Sequence, residues 1–116
     1  MTRKEYTDYI SYQIEKCKDV LIKKNDEYSS NDKVLHNFEV ASILTDTGIK
    51  QALAGMMVKH TVSVYDLIKK NEIDPKIWEE KITDNINYLL ILSAIIQDEV
   101  VRRCAEWSTN TLFLTE

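Results

Sequence analysis

The stretch that decides the fold is EKITDNINYLLIL, residues 80–92. Its second half is almost wholly apolar, whereas its first half carries acids, a lysine and amides. At about 100° per residue, one face of a helix here carries Ile82, Ile86, Leu89, Ser93, Ile96 and Val100. The opposite face carries Glu80, Asp84, Tyr88, Ile91 and Ile95. Because both faces are apolar in the second half, this helix is expected to lie between other helices, with Asp84 turned toward a packed surface.

The composition extends this prediction to the whole chain. Its 116 residues suit one domain with one core, and they include only two glycines and one proline. A β-sandwich or barrel needs turn residues about every 8–12 positions, so their scarcity favours long helices with short connections. The predicted fold is all-α, a four-helix bundle, in a single domain of residues 1–116.

Capping residues and apolar periods predict where the helices begin and end. The predicted helices run from residue 2 or 7 to about 25, from 33 to 44, from 49 to about 70 and from 75 to about 107. Residues 108–116 have no clear period and are expected to be a tail or an arm. The expected N-caps are Asn31 or Asp32, Asp46 or Thr47, and Asp74, the last with Pro75 as first helical residue.

Charge and hydropathy argue against some partners and places. The net charge of −4 at pH 7 argues against a nucleic-acid backbone, because such binding is driven by lysine and arginine. The longest apolar run, residues 88–96, is far shorter than a membrane span, and the N terminus is too polar for a signal peptide. Cys17 and Cys104 match no metal-binding spacing and are expected to be reduced. No nucleic acid or membrane is expected as a partner, and the predicted location is cytoplasmic.

A polar line is predicted on the third helix. Beside an apolar stripe at residues 53, 56, 57, 60, 64 and 67, it carries Ala52, Gly55, Lys59, Ser63 and Asp66. If this line faces Asp84 and Glu80, the bundle contains a polar chamber, since buried acids need partners. Alternatively, these charged groups form exposed ion pairs that contribute little to stability, and His60 is a hydrogen-bonded core histidine.

Three segments resemble a family of small proteins from phages and prophages of Gram-positive bacteria. They are KNDEYSSNDKVLHNFEVA, residues 24–41, ALAGMMVKHTVSVYDL, residues 52–67, and EKITDNINYLLIL. That family is similar to the nucleotide-modification-associated domain proteins, which in turn are similar to the MazG-like all-α nucleoside triphosphate pyrophosphatases. The resemblance covers about residues 24–92. It implies a nucleotide-binding bundle in the cytoplasm of a bacterial host.

The resemblance also implies a magnesium site. In MazG-like enzymes an ExxE pair and an ExxD pair bind magnesium, which holds the triphosphate and helps to activate water. The second pair corresponds here to Asp84, with Lys81 three residues and Glu80 four residues before it. The first pair has no counterpart, and Glu39 and Asp66 are its substitutes, followed by Glu27 and Asp32. The implied magnesium ligands are Asp84, Asp66, Glu80 and Glu39.

Three functions remain open from the sequence. The first is magnesium-dependent hydrolysis of a nucleoside triphosphate between the α and β phosphates, with Asp84 and Glu80 as catalytic acids. The second is sequestration of a nucleotide or a defence signal, which needs cations and stacking groups rather than several converging carboxylates. The third is a structural or interaction protein without a ligand. The expected ligand-binding residues are Lys59, His60, Ser63, Lys81, Asn87 and Tyr88, with Tyr28 or Phe38 as further stacking groups.

A helix that is apolar on two faces also predicts self-association. A bundle of 116 residues has few other helices to cover both faces, and a second copy can do so. A symmetric dimer or tetramer is therefore expected. The apolar residues 112–114 are expected to fold onto their own chain or onto a neighbour.

Overall fold

The computed structural model describes residues 1–28 and 33–114, with side chains for residues 1–26 and 33–108. It contains α1 (Arg3–Tyr28), α2 (His36–Leu44), α3 (Ile49–Lys69) and α4 (Pro75–Leu114). No strand occurs among these residues, which confirms an all-α helical bundle. Within the same ranges, no helix combines the length and the apolar character needed to span a membrane.

The first helix begins where the sequence predicts and ends later. The Thr2 hydroxyl accepts a hydrogen bond from the Glu5 backbone N–H and donates to its carboxylate, both at 3.1 Å, so Thr2 caps α1. The predicted end near Asn25 is wrong, because α1 continues to Tyr28. The side chains of Lys24 and Asn25 follow the line of Leu21 and line the same cavity, so the helical period persists through polar residues.

The second helix begins later than predicted. Its N-cap is Leu35, which makes no side-chain capping bond, and residues 33–35 form a turn before it. The predicted start at Lys33 is therefore wrong, and the predicted caps Asn31 and Asp32 lie outside the described residues.

Helices α2 and α3 end in the same backbone motif. Asp46 and Asn71 adopt positive φ values of 51° and 56° just beyond the two helices. After α2, the N–H of Thr47 donates to the carbonyl of Ser42 at 3.0 Å, and the equivalent bond after α3 joins Glu72 to Leu67 at 3.0 Å. This pattern is the Schellman motif, in which Asp and Asn tolerate the left-handed conformation usually given to glycine.

The starts of α3 and α4 differ in how well the sequence predicted them. The N-cap of α3 is Gly48 in extended backbone without a side-chain cap, so the prediction of Asp46 or Thr47 is wrong. The prediction for α4 is confirmed, because the Lys76 N–H donates to Asp74 Oδ1 at 2.9 Å and Pro75 is the first helical residue.

The fourth helix is the long axis of the molecule. Its 40 residues span about 60 Å at 1.5 Å per residue, and the chain extends 65 Å. It ends at Leu114 rather than at the predicted Trp107, so most of the predicted tail is helical. No glycine or proline follows Pro75 to stop the helix.

The core is small and lies along α4, which packs against both α1 and α3, while α2 packs on α3. Among the described side chains, Leu53, Ile95 and Cys17 are fully buried. Cys17 and the exposed Cys104 are both free thiols. Buried apolar area is the main source of stability, and here few side chains supply it.

Helix α1 meets α4 through polar side chains. The buried Gln13 amide donates to Thr83 Oγ1 at 3.0 Å and to Cys17 Sγ at 3.3 Å. One turn after Gln13 on α1, the Lys16 ammonium group pairs with the Glu79 carboxylate of α4 at 2.6 Å. The apolar residues of α1 are only partly covered by α4, since Ile14 is 62% exposed.

Candidate ligand-binding cavity

A cleft of about 680 Å³ lies between the C-terminal half of α1, the start of α2 and the middles of α3 and α4. Most of its wall is apolar, and the apolar lining residues are Leu21, Ile22, Val34, Leu35, Phe38, Met56, Leu90, Ile91 and Ala94. Several of these side chains remain half exposed, including Ile22, Val34 and Leu90. Its volume and apolar wall are typical of small-molecule sites, which span about 300–1,000 Å³.

Asp84 is the central charged group of the cleft. Its side chain is only 13% exposed and its Oδ1 lies 3.2 Å from Lys24 Nζ on α1. Its Oδ2 lies 3.6 Å from His60 Nδ1 on α3, which is too long for a hydrogen bond. The carboxylate therefore joins three helices and has acceptor capacity to spare, because it can accept about four hydrogen bonds.

His60 and Tyr88 form an aromatic pair beside Asp84. Their ring centroids are 4.7 Å apart and the planes are inclined by 33°. Burial lowers the pKa of His60, Asp84 opposes this effect, and the charges of Lys59, Lys81 and Lys24 lower it further. The imidazole is therefore neutral at pH 7.

The pKa of Tyr88 is shifted upward, in contrast to that of His60. Burial is the larger cause of this increase, and the negative charge of Asp84 adds to it. The phenol is therefore protonated at neutral pH and can donate a hydrogen bond into the cleft.

Asn87 brings a partnerless acceptor to the same end. It is 6% exposed and lines the cleft. Its Oδ1 accepts no hydrogen bond from the described residues. A buried polar atom without a partner is costly, so this carbonyl points to a ligand or a water molecule.

Asn85, two residues before Asn87, uses both its amide nitrogen and its amide oxygen in hydrogen bonds beside the cleft. Its amide donates to the backbone carbonyls of His60 at 2.9 Å and Lys81 at 2.8 Å. Its Oδ1 accepts from the Thr61 hydroxyl at 3.2 Å. These bonds fix α3 against α4 at the level of His60, and sequence reasoning did not single out Asn85 for this role.

The structure brings together part of the predicted site. Asp84, His60, Asn87 and Tyr88 line the cleft, and so does the predicted stacking group Phe38. The apolar stripe of α3 faces the bundle as predicted, with Leu53 and Leu67 buried.

The other predicted ligand-binding residues lie outside the cleft wall. Lys59 is exposed and Lys81 half-buried, but the charges of both lower the pKa of His60. The Ser63 hydroxyl donates to the Lys59 carbonyl of its own helix at 2.9 Å. Gly55, from the same predicted polar line, makes no close approach to another helix, because a Cβ there would meet no atom of the described residues within 4 Å.

The predicted magnesium ligands do not gather at Asp84. Glu80, Asp66 and Glu39 are exposed and are not part of the cleft wall. Among the described side chains, no three His, Cys, Asp or Glu residues come close enough to hold a metal ion. Glu27, Asp32 and the stacking candidate Tyr28 have no described side chains. The described acids therefore do not fit a magnesium site.

Lys24 is a charged cleft residue that sequence reasoning missed. It lies in the stretch expected to begin a loop, whereas the structure keeps it on α1. The signal was present, because Cys17, Leu21 and Lys24 follow one another at helical spacings of four and three.

Comparisons of this chain with protein-family models, curated proteins and solved structures give no match. Its function has to be inferred from the cleft itself.

Proposed function

We propose that this chain binds a nucleoside triphosphate or a related phosphorylated small molecule and does not hydrolyse it. The observation that carries the proposal is the polar end of the cleft, where Asp84, His60, Tyr88 and Asn87 meet between apolar walls. A largely apolar cleft with a few convergent polar groups is the usual form of a small-molecule site.

The aromatic groups of the cleft suit a nucleobase. Tyr88 and His60 already lie ring against ring, and Phe38 lines the cleft from α2. Bases stack on aromatic side chains with about 1–3 kcal/mol per base. The neutral state of His60 favours stacking over ion pairing, because a neutral imidazole brings no charge that must be desolvated.

The lysines near the cleft suit phosphate groups. The chain carries a net charge of −4, yet Lys24, Lys59 and Lys81 all act on His60. Lys24 is 54% exposed, so its ammonium group can leave Asp84 and reach a phosphate at the mouth of the cleft. Flexible ammonium groups are common phosphate partners.

Binding without turnover follows from the acids. Phosphoryl chemistry of this type depends on carboxylates that hold metal ions against the phosphates. Among the described residues that line the cleft, Asp84 is the one carboxylate, and it is paired with Lys24. This set favours the sequestration hypothesis over the pyrophosphatase hypothesis.

The test uses two lysines in matched settings. Lys24 pairs with Asp84 at 3.2 Å and Lys50 pairs with Glu99 at 3.2 Å, and the two lysine side chains are about equally exposed. Calorimetric titration with ATP and GTP, with and without Mg²⁺, should give saturable binding. Lys24→Ala should weaken it about tenfold or more, as expected for a charge-assisted bond, and Lys50→Ala should leave it unchanged.

Pyrophosphate release is measured in the same samples. We expect none above the buffer blank after hours at saturating triphosphate and Mg²⁺. Steady release would overturn the proposed lack of turnover and restore the enzyme hypothesis. Absence of binding by ATP, GTP, CTP and UTP at millimolar concentration would overturn the proposed function as a whole.

Self-association is a second proposed property, supported by the outer face of α3 and α4. On α3, Val58, Val62, Tyr65 and Ile68 are all at least half exposed. On α4, the line of Ile82, Ile86, Leu89, Ser93, Ile96 and Val100 advances by alternate steps of four and three. This is the spacing of a coiled-coil seam, and three of these side chains are 45–56% exposed. A second copy offers the same seam, as a two-fold symmetric dimer requires.

The dimer is tested by light scattering on size-exclusion chromatography. At tens of micromolar the chain should elute with twice the monomer mass of 13.5 kDa. Leu89→Glu should give monomers, because it places a charge on the seam. Ile73→Glu is the matched control, since Ile73 is 90% exposed and lies between α3 and α4 in the chain. A monomeric wild-type chain would reject this property.

A further inference from the structure

The polar end of the cleft presents two acceptors side by side. Asp84 and Asn87 are three residues apart on α4, so their side chains are neighbours on one helix face, and both line the cleft. Asn87 is only 6% exposed, and its Oδ1 has no hydrogen-bond partner among the described residues. Asp84 has one hydrogen bond, from the half-exposed Lys24.

The Asn87 carbonyl has no donor among the described residues, and the Asp84 carboxylate can accept further bonds besides the one from Lys24, so a ligand that fills this end is expected to bring donors. A ligand that placed its own acceptor here would bury it against a carboxylate and a carbonyl, and such mismatches are penalised far more than a lost contact. A ligand with two adjacent N–H donors would instead satisfy both side chains at once. One donor is then directed at the Asp84 carboxylate and the other at the Asn87 carbonyl, because each of these groups can accept a hydrogen bond.

We propose that this cleft selects guanine among the nucleobases, with the ring N1–H and the exocyclic 2-amino group directed at Asp84 and Asn87. The inference rests on the proposed function. Adenine presents an acceptor, N1, beside its amino group, and cytosine does the same with N3. Uracil presents one N–H between two carbonyl acceptors. Guanine is the common base whose pairing edge carries donors on two adjacent positions.

Aromatic side chains lie close to the two acceptors and can stack on the planar ring of a bound base. Tyr88 follows Asn87 directly on α4, and its ring pairs with His60 at 4.7 Å. A base whose edge meets Asp84 and Asn87 therefore has an aromatic surface beside it. The ligand donors also replace Lys24 at Asp84, which releases that ammonium group for the phosphates.

The experiment compares three triphosphates that differ only in the base edge. GTP has both donors, ITP lacks the 2-amino group, and ATP has an acceptor at the N1 position. Calorimetric titration without Mg²⁺ should give the tightest binding for GTP. ITP should bind about tenfold more weakly, and ATP at least about tenfold more weakly than ITP, since each step removes or opposes one hydrogen bond to a buried group.

Variants assign the discrimination to the two side chains. Asp84→Asn keeps the shape but adds a donor, so GTP and ATP should come within about threefold of each other. Asn87→Leu should bring GTP and ITP within about twofold. Glu80→Gln, one turn before Asp84 and exposed, should leave all three ratios unchanged.

The outcomes separate this inference from the proposed function. Equal affinity for the three triphosphates would overturn guanine selection and leave nucleotide binding intact. Tighter binding of ATP than GTP would also overturn it, as would a wild-type GTP preference that persists in Asp84→Asn. If none of the three binds, guanine selection is wrong, and the proposed function is wrong as well if CTP and UTP also fail to bind.

Discussion

Replacing Asn87 with leucine should stabilise the ligand-free protein. The side chain is 6% exposed and its Oδ1 has no partner among the described residues. An unsatisfied buried polar group costs about 1–3 kcal/mol. Leucine has the same branched side-chain skeleton and replaces that acceptor with apolar atoms, so Asn87→Leu should raise the free energy of unfolding by about 1–3 kcal/mol. For a domain of this size, each kcal/mol corresponds to about 3–6 °C in Tm.

Asn85 is the matched control on the same helix. It makes three hydrogen bonds, to His60, Lys81 and Thr61, at about 0.5–1.5 kcal/mol each. Asn85→Leu should therefore lower the free energy of unfolding by about 1.5–4.5 kcal/mol. Urea unfolding followed by circular dichroism measures both variants under one buffer condition. If Asn87→Leu destabilises as much as Asn85→Leu, then Oδ1 is satisfied in solution and the argument for a ligand donor fails.

Three further changes test the titration and the packing. The pKa of His60 is lowered in the folded protein, so the unfolded chain takes up a proton first as the pH falls below about 6.5, and the free energy of unfolding decreases. His60→Gln should make this decrease between pH 7 and 5 smaller. Gln13→Leu should cost about 1–3 kcal/mol by leaving buried Thr83 without its bond from α1. Leu53→Ala, at 1% exposure, should cost about 2–5 kcal/mol.

Each of these three expectations has a clear contrary result. Parallel stability curves for wild type and His60→Gln from pH 5 to 7 would show that the histidine is not held neutral by its surroundings. A change below about 0.5 kcal/mol in Gln13→Leu would mean that the bond from α1 to α4 contributes nothing. For Leu53→Ala the control is Ile73→Ala, because Ile73 is 90% exposed. Equal losses would contradict the assigned core.

The sequence predicts the helices well where local chemistry marks them. Asp74 and Pro75 mark the start of α4 with a capping bond and a fixed φ, and Thr2 marks the start of α1. The ends of α1 and α4 are not marked, because no glycine or proline interrupts either stretch. A polar run such as residues 24–28 is therefore indistinguishable from a loop until the side chains of Lys24 and Asn25 are seen to line a cleft.

The candidate site was predictable along one helix but not across helices. The helical period places Asp84 toward the interior, and its side chain is 13% exposed. The helical period does not determine which side of α3 faces α4. The sequence therefore predicts Lys59 and Asp66 beside Asp84, whereas the structure places His60 there. The helical period also could not bring Lys24 to Asp84, since the two are 60 residues apart and only the packing of α1 joins them.

The most direct test of nucleotide binding in the cleft is an amide NMR titration of the ¹⁵N-labelled chain with GTP. We expect saturable shift changes for the backbone amides of Lys24, His60, Asp84 and Tyr88 and for the side-chain amide of Asn87, with a common dissociation constant. Residues on the outer face, such as Val58, should move little. Shifts confined to the outer face, or no shifts at millimolar GTP, would contradict a nucleotide site between α1, α3 and α4.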